Sequence, residues 1–457
     1  MFERSVVLPA IALAAIAGFA QGAAMDEDEI LGGAEARIRE HRMAGAELAL
    51  ADSAGRPLPE GTLARIEQTR HAFLFGVCTQ WLFHIFSEEN RFETRPEAAR
   101  LYSDRFVELF NFGTTQVYWG GYEREPGRPQ YDLTQANCDW AKRHGIALKG
   151  HPLVWNNIGA PRWIAAMETD RAVEAQARRL EEVMKRFQGQ IAMWDVVNEA
   201  AAYEREDAWK ANPVLTKAMQ EMGVEAFVRL MYERARQADP SALLLTNDYV
   251  LDERYEKRGI APLLDSEGAL FDIVGIQSHM HAAPWTPRKI WDVCERFAKY
   301  GKPIHFTETT IPSGDPDGRR RSQQERGYRW LTTAEGEARQ AREVELFYTI
   351  LFSHPAVEAI TWWSLTDDQA WLGAPAGLLR ADMSPKPAYG ALRRLIKGKW
   401  WTTLETHASA GGRVDFRGFL GDYRILAETS DGRRLQGRFS LAKDSPSPIP
   451  IVLRPAP

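Results

Sequence analysis

From His71 to Ile396 the sequence alternates between short apolar runs and amphipathic stretches, and nothing else limits the possible folds so strongly. The runs centre near Phe75, Thr115, Leu148, Val196, Leu245, Val274, Phe306 and Trp362. Their spacing, roughly 30 to 55 residues, is the length of a strand, a helix and their loops. Helical periodicity occupies 98–110, 136–144, 171–187, 224–238, 287–300, 337–352 and 388–396. Such alternation calls for an α/β protein with a parallel sheet, and eight strands predict a closed (β/α)8 TIM barrel. A doubly wound sheet would need a glycine-rich phosphate turn after its first strand. Phe75-Gly76-Val77-Cys78 supplies none.

The flanks read differently. Residues 26–42 suit one short helix, acidic at its start and basic at its end. Residues 46–50 and 63–68 read as a β-hairpin around Asp52-Ser53-Ala54-Gly55-Arg56-Pro57. Beyond Lys399, residues 413–416, 422–428, 437–441 and 449–453 are short strands separated by Gly, Asp, Ser and Pro. Together with the hairpin they would close a small accessory β-sandwich that stabilises the barrel inserted between its halves. The expected units are thus 25–70, an N-terminal helix and hairpin; 71–398, the barrel; and 399–457, the C-terminal strands. Residues 1–24 read as a signal peptide, with Arg4 before an apolar run from Val6 to Ala20 and small residues at Ala20-Gln21-Gly22 or Gly22-Ala23-Ala24. The run is too short to span a bilayer comfortably. Export to the periplasm or the extracellular space follows, without stable membrane association; a retained anchor is the alternative.

Composition narrows the partners. A chain of 457 residues can hold one large domain and a smaller one. Its net charge of −5 gives no electrostatic case for nucleic acid or acidic lipid. The three cysteines, Cys78, Cys138 and Cys294, are odd in number and lack CxxC spacing, so buried free thiols are expected rather than a disulfide framework or a zinc site. No metal and no cofactor is called for, and a monomer is expected.

Function should sit where barrel strands end. Strand three ends in Gly150-His151-Pro152-Leu153-Val154-Trp155, strand four in Trp194-Asp195-Val196-Val197-Asn198-Glu199-Ala200 and strand five in Asn247-Asp248-Tyr249. Strand six carries Gln277-Ser278-His279-Met280-His281, strand seven ends in His305-Phe306-Thr307-Glu308, and strand eight leads through Trp362-Trp363 to Asp367 and Trp371. Strands four and seven lie opposite one another in an eight-stranded barrel, so Glu199 and Glu308 would face each other across the mouth. Two carboxyl groups flanking a bond, with amides, imidazoles and indoles around them, suit glycoside hydrolysis on a polysaccharide or oligosaccharide. Trp140 and Trp291, on helices, read as core; Trp155, Trp363 and Trp371, at strand ends, do not.

The same motifs carry a specific resemblance. Trp194 to Ala200 resembles the acid/base motif of family 10 glycoside hydrolases, a barrel family dominated by endo-1,4-β-xylanases. Gly150 to Trp155, Asn247-Asp248-Tyr249, Gly275-Ile276-Gln277-Ser278-His279, Ile304 to Glu308, Trp362 to Asp367 with Trp371, and Lys386-Pro387-Ala388-Tyr389 are similar to its other motifs, in order from about residue 70 to 396. The resemblance implies a retaining mechanism with Glu199 as acid/base and Glu308 as nucleophile. It implies that Asn198 bonds the 2-hydroxyl of the −1 sugar, that His279 orients Glu308, and that Gln277 holds the acid/base region. His151 and Trp155 would line the −1 subsite, with Trp363 and Trp371 as its walls.

Departures are equally specific. Where the family carries a Glu-Asn pair and a Lys for the −2 sugar, this chain has Thr114, Thr115 and Tyr118. Asn156 replaces a histidine, Thr310 an aspartate beyond the nucleophile, and Ser364 a glycine. The reading is therefore an endo-1,4-β-xylanase-like hydrolase, with another or a decorated β-glycan as alternative substrate. A carbohydrate-binding barrel without turnover is the rival from another class. His279-Met280-His281 as a metal pair of a barrel amidohydrolase would belong on the first strand, not the sixth.

Overall fold

The computed structural model describes residues 25–82, 96–266, 268–368 and 370–456. The segment read as a signal peptide lies outside them. Two strands come first, β1 (Met43–Ala51) and β2 (Leu63–His71). The chain then builds β3 (Leu74–Cys78), β4 (Phe112–Gln116), β5 (Ala147–His151), β6 (Met193–Asn198) and β7 (Leu243–Asp248). A two-residue pair, β8 (Leu264–Asp265) and β9 (Gly268–Ala269), precedes β10 (Ile273–His279), β11 (Ile304–Thr310) and β12 (Val357–Trp362). Strands β3 to β7 and β10 to β12 close in sequence order into a barrel whose recorded pairings are all parallel. All eight expected strand centres fall inside these strands. They are buried almost throughout, as expected of a sheet covered outside by helices and filled inside by side chains.

The helices follow from amphipathic spacing. Thr169–Arg186, for example, turns Ala172, Val173, Ala177, Leu180, Val183 and Met184 inward and all its charges outward except buried Arg179, which donates to Tyr122 Oη at 2.7 Å. The 26–42 region differs from its expected single helix. Asp26 caps Glu27–Gly32 in a capping box with Glu29, the helix stops at Gly33, and Ala34–Arg42 continues separately. A side chain at Gly33 would meet the Arg37 guanidinium, which folds back to Ile30 O.

Past the barrel come β13 (Thr403–His407), β14 (Arg413–Phe419), β15 (Gly421–Glu428), β16 (Arg434–Leu441), β17 (Ile449–Val452) and β18 (Arg454–Pro455). They complete two sheets, β14-β1-β17 and β13-β2-β15-β16-β18. Both sheets contribute to one apolar core that includes Leu48, Ile66, Phe416, Tyr423, Ile425, Phe439 and Ile451. The expected sandwich exists, but its N-terminal strands form no hairpin with each other. The turn at Asp52–Arg56 closes only one bridge, Ala51 with Pro57, and the chain then crosses to the other sheet. Both edges of β1 are taken by β14 and β17, and both edges of β2 by β13 and β15. Neither has an edge left for the other.

The sandwich meets the barrel at the end remote from the chemistry. Arg42 donates to Phe352 O at 2.8 Å, His354 O at 2.5 Å and Val357 O at 2.6 Å, at the start of β12. The His71 imidazole bonds Trp400 O at 2.5 Å within a ring of Phe75, Phe352, Trp401 and Phe419. Cys78, Cys138 and Cys294 are buried free thiols, and burial pushes Cys78 and Cys138 up to about 12.

Candidate active site

The mouth is assembled where β6, β10 and β11 lose their regular register. Pairing shifts between Asp195 and Asn198, between Ile276 and Gln277, and between Phe306 and Thr309. Such irregularities at a barrel rim re-aim side chains. Glu199, immediately after β6, stands in the left-handed region at φ 60°, a strained conformation for a side chain with a Cβ. Its amide donates to Asn247 O at 2.9 Å, which holds the turn.

Glu199 and Glu308 are both buried and joined by a run of amides. Gln277 Nε2 donates to Glu199 Oε1 at 3.2 Å and to Asn198 Oδ1 at 3.1 Å. Asn247 Nδ2 donates to the same Asn198 oxygen at 2.9 Å and to Glu308 Oε1 at 2.9 Å. Thr307 Oγ1 fixes Asn247 by donating to its Oδ1 at 2.5 Å. Two donors saturate Asn198 Oδ1, which fixes the orientation of the whole amide.

Glu308 is further held by imidazoles. His279 Nε2 lies 3.1 Å from Oε2, and His151 Nε2 lies 3.7 Å from Oε1. Burial alone would push this carboxyl up. The charge of His151, the hydrogen bond and charge of His279, and Lys149 outweigh it and bring Glu308 down to about 2. Behind His151, its Nδ1 meets Asp195 Oδ2 at 2.8 Å, and the fully buried Lys149 ammonium pairs with that same oxygen. Thr310, where the resemblance implies an aspartate, places Oγ1 3.3 Å from His279 Nδ1. A neutral hydroxyl thus holds the ring.

Glu199 has a different shell. Trp155 Nε1 donates to Oε2 at 3.0 Å, and Arg205 approaches the same oxygen at 2.5 Å. The guanidinium sits beside the Trp155 and Tyr249 rings, 5.9 and 5.8 Å from their centroids, and is steadied by Asp207 at 2.9 Å. Burial pushes neighbouring Asp248 up to about 7, although it accepts hydrogen bonds from Val250 N and Ala201 N.

Trp363 is buried with its ring 5.3 Å from His151, while Trp371 is 40% exposed and packs 4.6 Å from His279. The structure thus brings together all nine residues expected at the site: His151, Trp155, Asn198, Glu199, Gln277, His279, Glu308, Trp363 and Trp371. Trp140 and Trp291 are core, as read. Among the departures, Thr114 and Thr115 are fully buried in the wall, and Asn156 is used internally, donating to Tyr203 O at 2.6 Å and Thr216 Oγ1 at 2.9 Å. Tyr118 reaches the mouth, its ring 6.0 Å from His151 and 5.9 Å from Trp155. Among the described residues no three His, Cys, Asp or Glu side chains are grouped to hold a metal ion, and His279 is committed to Glu308.

Sequence reading did not single out Arg205 or Asn247 as site residues. Arg205 stands in Tyr203-Glu204-Arg205-Glu206-Asp207, which looks like a solvated charged loop. Asn247 had a signal, as the amide ending a barrel strand beside the strand of Glu199.

Comparison with known proteins bears on the family and the fold. The model of glycosyl hydrolase family 10 matches residues 87–395. Endo-1,4-beta-xylanase B of Thermotoga neapolitana is 26% identical over 69% of this chain and 88% of its own length. A beta-1,4-xylanase of Dictyoglomus thermophilum is 28% identical over 53% of this chain and 67% of its own. Anti-sigma-I factor RsgI6 of Acetivibrio thermocellus is 25% identical over 86% of this chain but only 46% of its own. Among solved structures, xylanase 10B from Thermotoga petrophila in complex with xylobiose superposes with a TM-score of 0.54 at 23% identity, covering 72% of this chain and 95% of that one. At that identity the superposition speaks for the barrel alone. The family match spans more than half of the chain and takes in both carboxylates, and the protein belongs to glycosyl hydrolase family 10.

Proposed function

We propose that the protein is an exported, retaining endo-1,4-β-xylanase acting on xylan or xylo-oligosaccharides. The observation that carries this reading is the pair of buried carboxylates with unlike shells, joined by Gln277, Asn198 and Asn247. Two histidines keep Glu308 ionised, which a nucleophile requires. In this reading Glu308 attacks the anomeric carbon while Glu199 protonates the departing glycosidic oxygen. The resulting ester removes the charge of Glu308, and Glu199 then deprotonates the water that releases the sugar. Asn198, oriented by two donors, presents its NH2 to the 2-hydroxyl as positive charge develops on the ring. Glu199 Oε2 already has two donors, so the leaving oxygen reaches a proton there only after Arg205 moves aside. The Thermotoga neapolitana and Dictyoglomus thermophilum xylanases support the substrate class.

Linear xylan and short xylo-oligosaccharides test this directly, with Glu308→Ala as control. Xylobiose and xylotriose from wild type, formed with retained anomeric configuration by NMR, are expected. Glu308→Ala should release neither. Silence on linear xylan with activity on another β-glycan would reassign the substrate. Tight oligosaccharide binding without any turnover would make this a binding barrel.

A further inference from the structure

Arg205 stands where the proton transfer must occur, on the same loop as Glu199. Between β6 and the helix Glu206–Ala211 the backbone of this loop is anchored. Ala201 N donates to Asp248 at 2.9 Å, and Arg258 donates to Ala201 O at 2.8 Å and pairs with Glu204 at 3.1 Å. The Arg205 side chain is held less completely. Its Nη2 lies 2.5 Å from Glu199 Oε2 and its Nε 2.9 Å from Asp207 Oδ1, while Nη1 is buried without a hydrogen-bond partner. The two carboxylates differ in setting, the Glu199 side chain being 10% exposed and that of Asp207 63%. One guanidinium thus has an inner partner and an outer one, and it can turn from the first while keeping the second.

The two oxygens of Glu199 face different neighbours. Oε1 accepts from Gln277, in the amide run that leads to Glu308, while Oε2 accepts from Trp155 and Arg205. A charged Oε2 can accept both donors, whereas an oxygen that carries its own proton cannot. The other titratable groups around the pair are Asp207, Asp248, Tyr118 and Tyr249, with Glu308 beyond the amides. All of these are neutral or negative, and Arg205 is the cation that pairs with Glu199. The two halves of a retaining reaction ask opposite things of Glu199. First it gives a proton to the glycosidic oxygen as that bond breaks and the bond to Glu308 forms. Then it takes a proton from the water that displaces Glu308 from the sugar.

We propose that Arg205 is a positioning residue that alternates with the leaving sugar. It turns outward to Asp207 when a sugar occupies the leaving-group side, freeing Glu199 Oε2 to carry and deliver a proton. It returns once that sugar has gone and holds Glu199 as the charged base for the second step. This rests on the retaining xylanase reading and adds to it the residue that separates the two half-reactions.

Two substrates test the halves separately. Xylotetraose needs the proton of Glu199, so its kcat/KM reports the first step. The phenolate of 2,4-dinitrophenyl β-xylobioside departs without one, so after a burst its kcat reports the second. Arg205→Met should raise kcat/KM on xylotetraose and lower kcat on the dinitrophenyl substrate. Each change should be about tenfold, the effect of one charge-assisted hydrogen bond. Arg205→Lys, which keeps the charge and loses the fork, should recover part of the second rate. Glu199→Gln leaves Arg205 no charge to meet, so adding Arg205→Met to it should not slow the second step further. Parallel loss on both substrates, no change on either, or further slowing in the Glu199→Gln background would overturn the inference and leave the xylanase reading standing. A wild type that turns over neither substrate would overturn both.

Discussion

Glu308 owes its ionised state to two imidazoles rather than to water, and that arrangement has a sign. Its carboxyl falls from 4.5 to about 2, so it is charged at any pH above about 2, and the stability it contributes is full above its ordinary value and lost progressively as pH falls from there through about 2. The acid limb of kcat/KM due to this residue should lie near pH 2. Buried His71 and His305, which burial brings down to about 3, act much earlier. Unfolded histidines take up protons below about 6.5, whereas these two resist protonation when folded, so stability should decline as pH drops from about 6.5 to 3. A series of thermal melts across that range should show the decline, and His305→Phe should flatten it. Lys149→Met should cost about 3 kcal/mol in denaturant unfolding, because it strands the Asp195 carboxylate without its ammonium. At this scale the two glutamates, His279 and Gln277 were readable, since each ends a strand with a recognisable motif. Arg205 was not: its importance comes from a loop folding back onto Glu199, which leaves no mark on neighbouring letters.

Strands place these groups by close approach. In β5, a Cβ at Gly150 would meet the Trp194 ring of β6 at 2.2 Å. Gly150→Ala should therefore destabilise by about 1–3 kcal/mol through overpacking, measured as a shift in denaturant midpoint at constant slope. Ser364, where the resemblance implies glycine, has φ 84°. Ser364→Gly should relieve strain and stabilise by about 1 kcal/mol, again by denaturant midpoint. The eight barrel strands were legible because apolar runs and helices alternate without ambiguity. β1 and β2 were legible as strands and misread as partners, since alternation along a strand says which face is buried and nothing about which neighbour takes its edges. β13 and β18 were missed, because Thr403–His407 has little buried surface and Arg434–Leu441 offers Arg454–Pro455 only a short edge.

At the scale of the whole molecule, one sandwich gathers both flanks of the chain around a barrel made from its middle. Synthesis runs in one direction, and this has a consequence for the newborn chain. β1 and β2 leave the ribosome early, yet their partners follow only after the entire barrel, a wait of roughly half a minute at ordinary elongation rates. Through that interval two nine-residue strands stand with open edges, the kind of template on which chains pair with the wrong neighbour. The most vulnerable part of an unfinished molecule is thus its oldest part rather than its growing tip. A chain stopped at residue 399 should pellet on expression, whereas the same truncation also lacking residues 25–72 should stay in the supernatant longer, as fractionation would show. For this protein the last strands made are the ones that render the first ones safe.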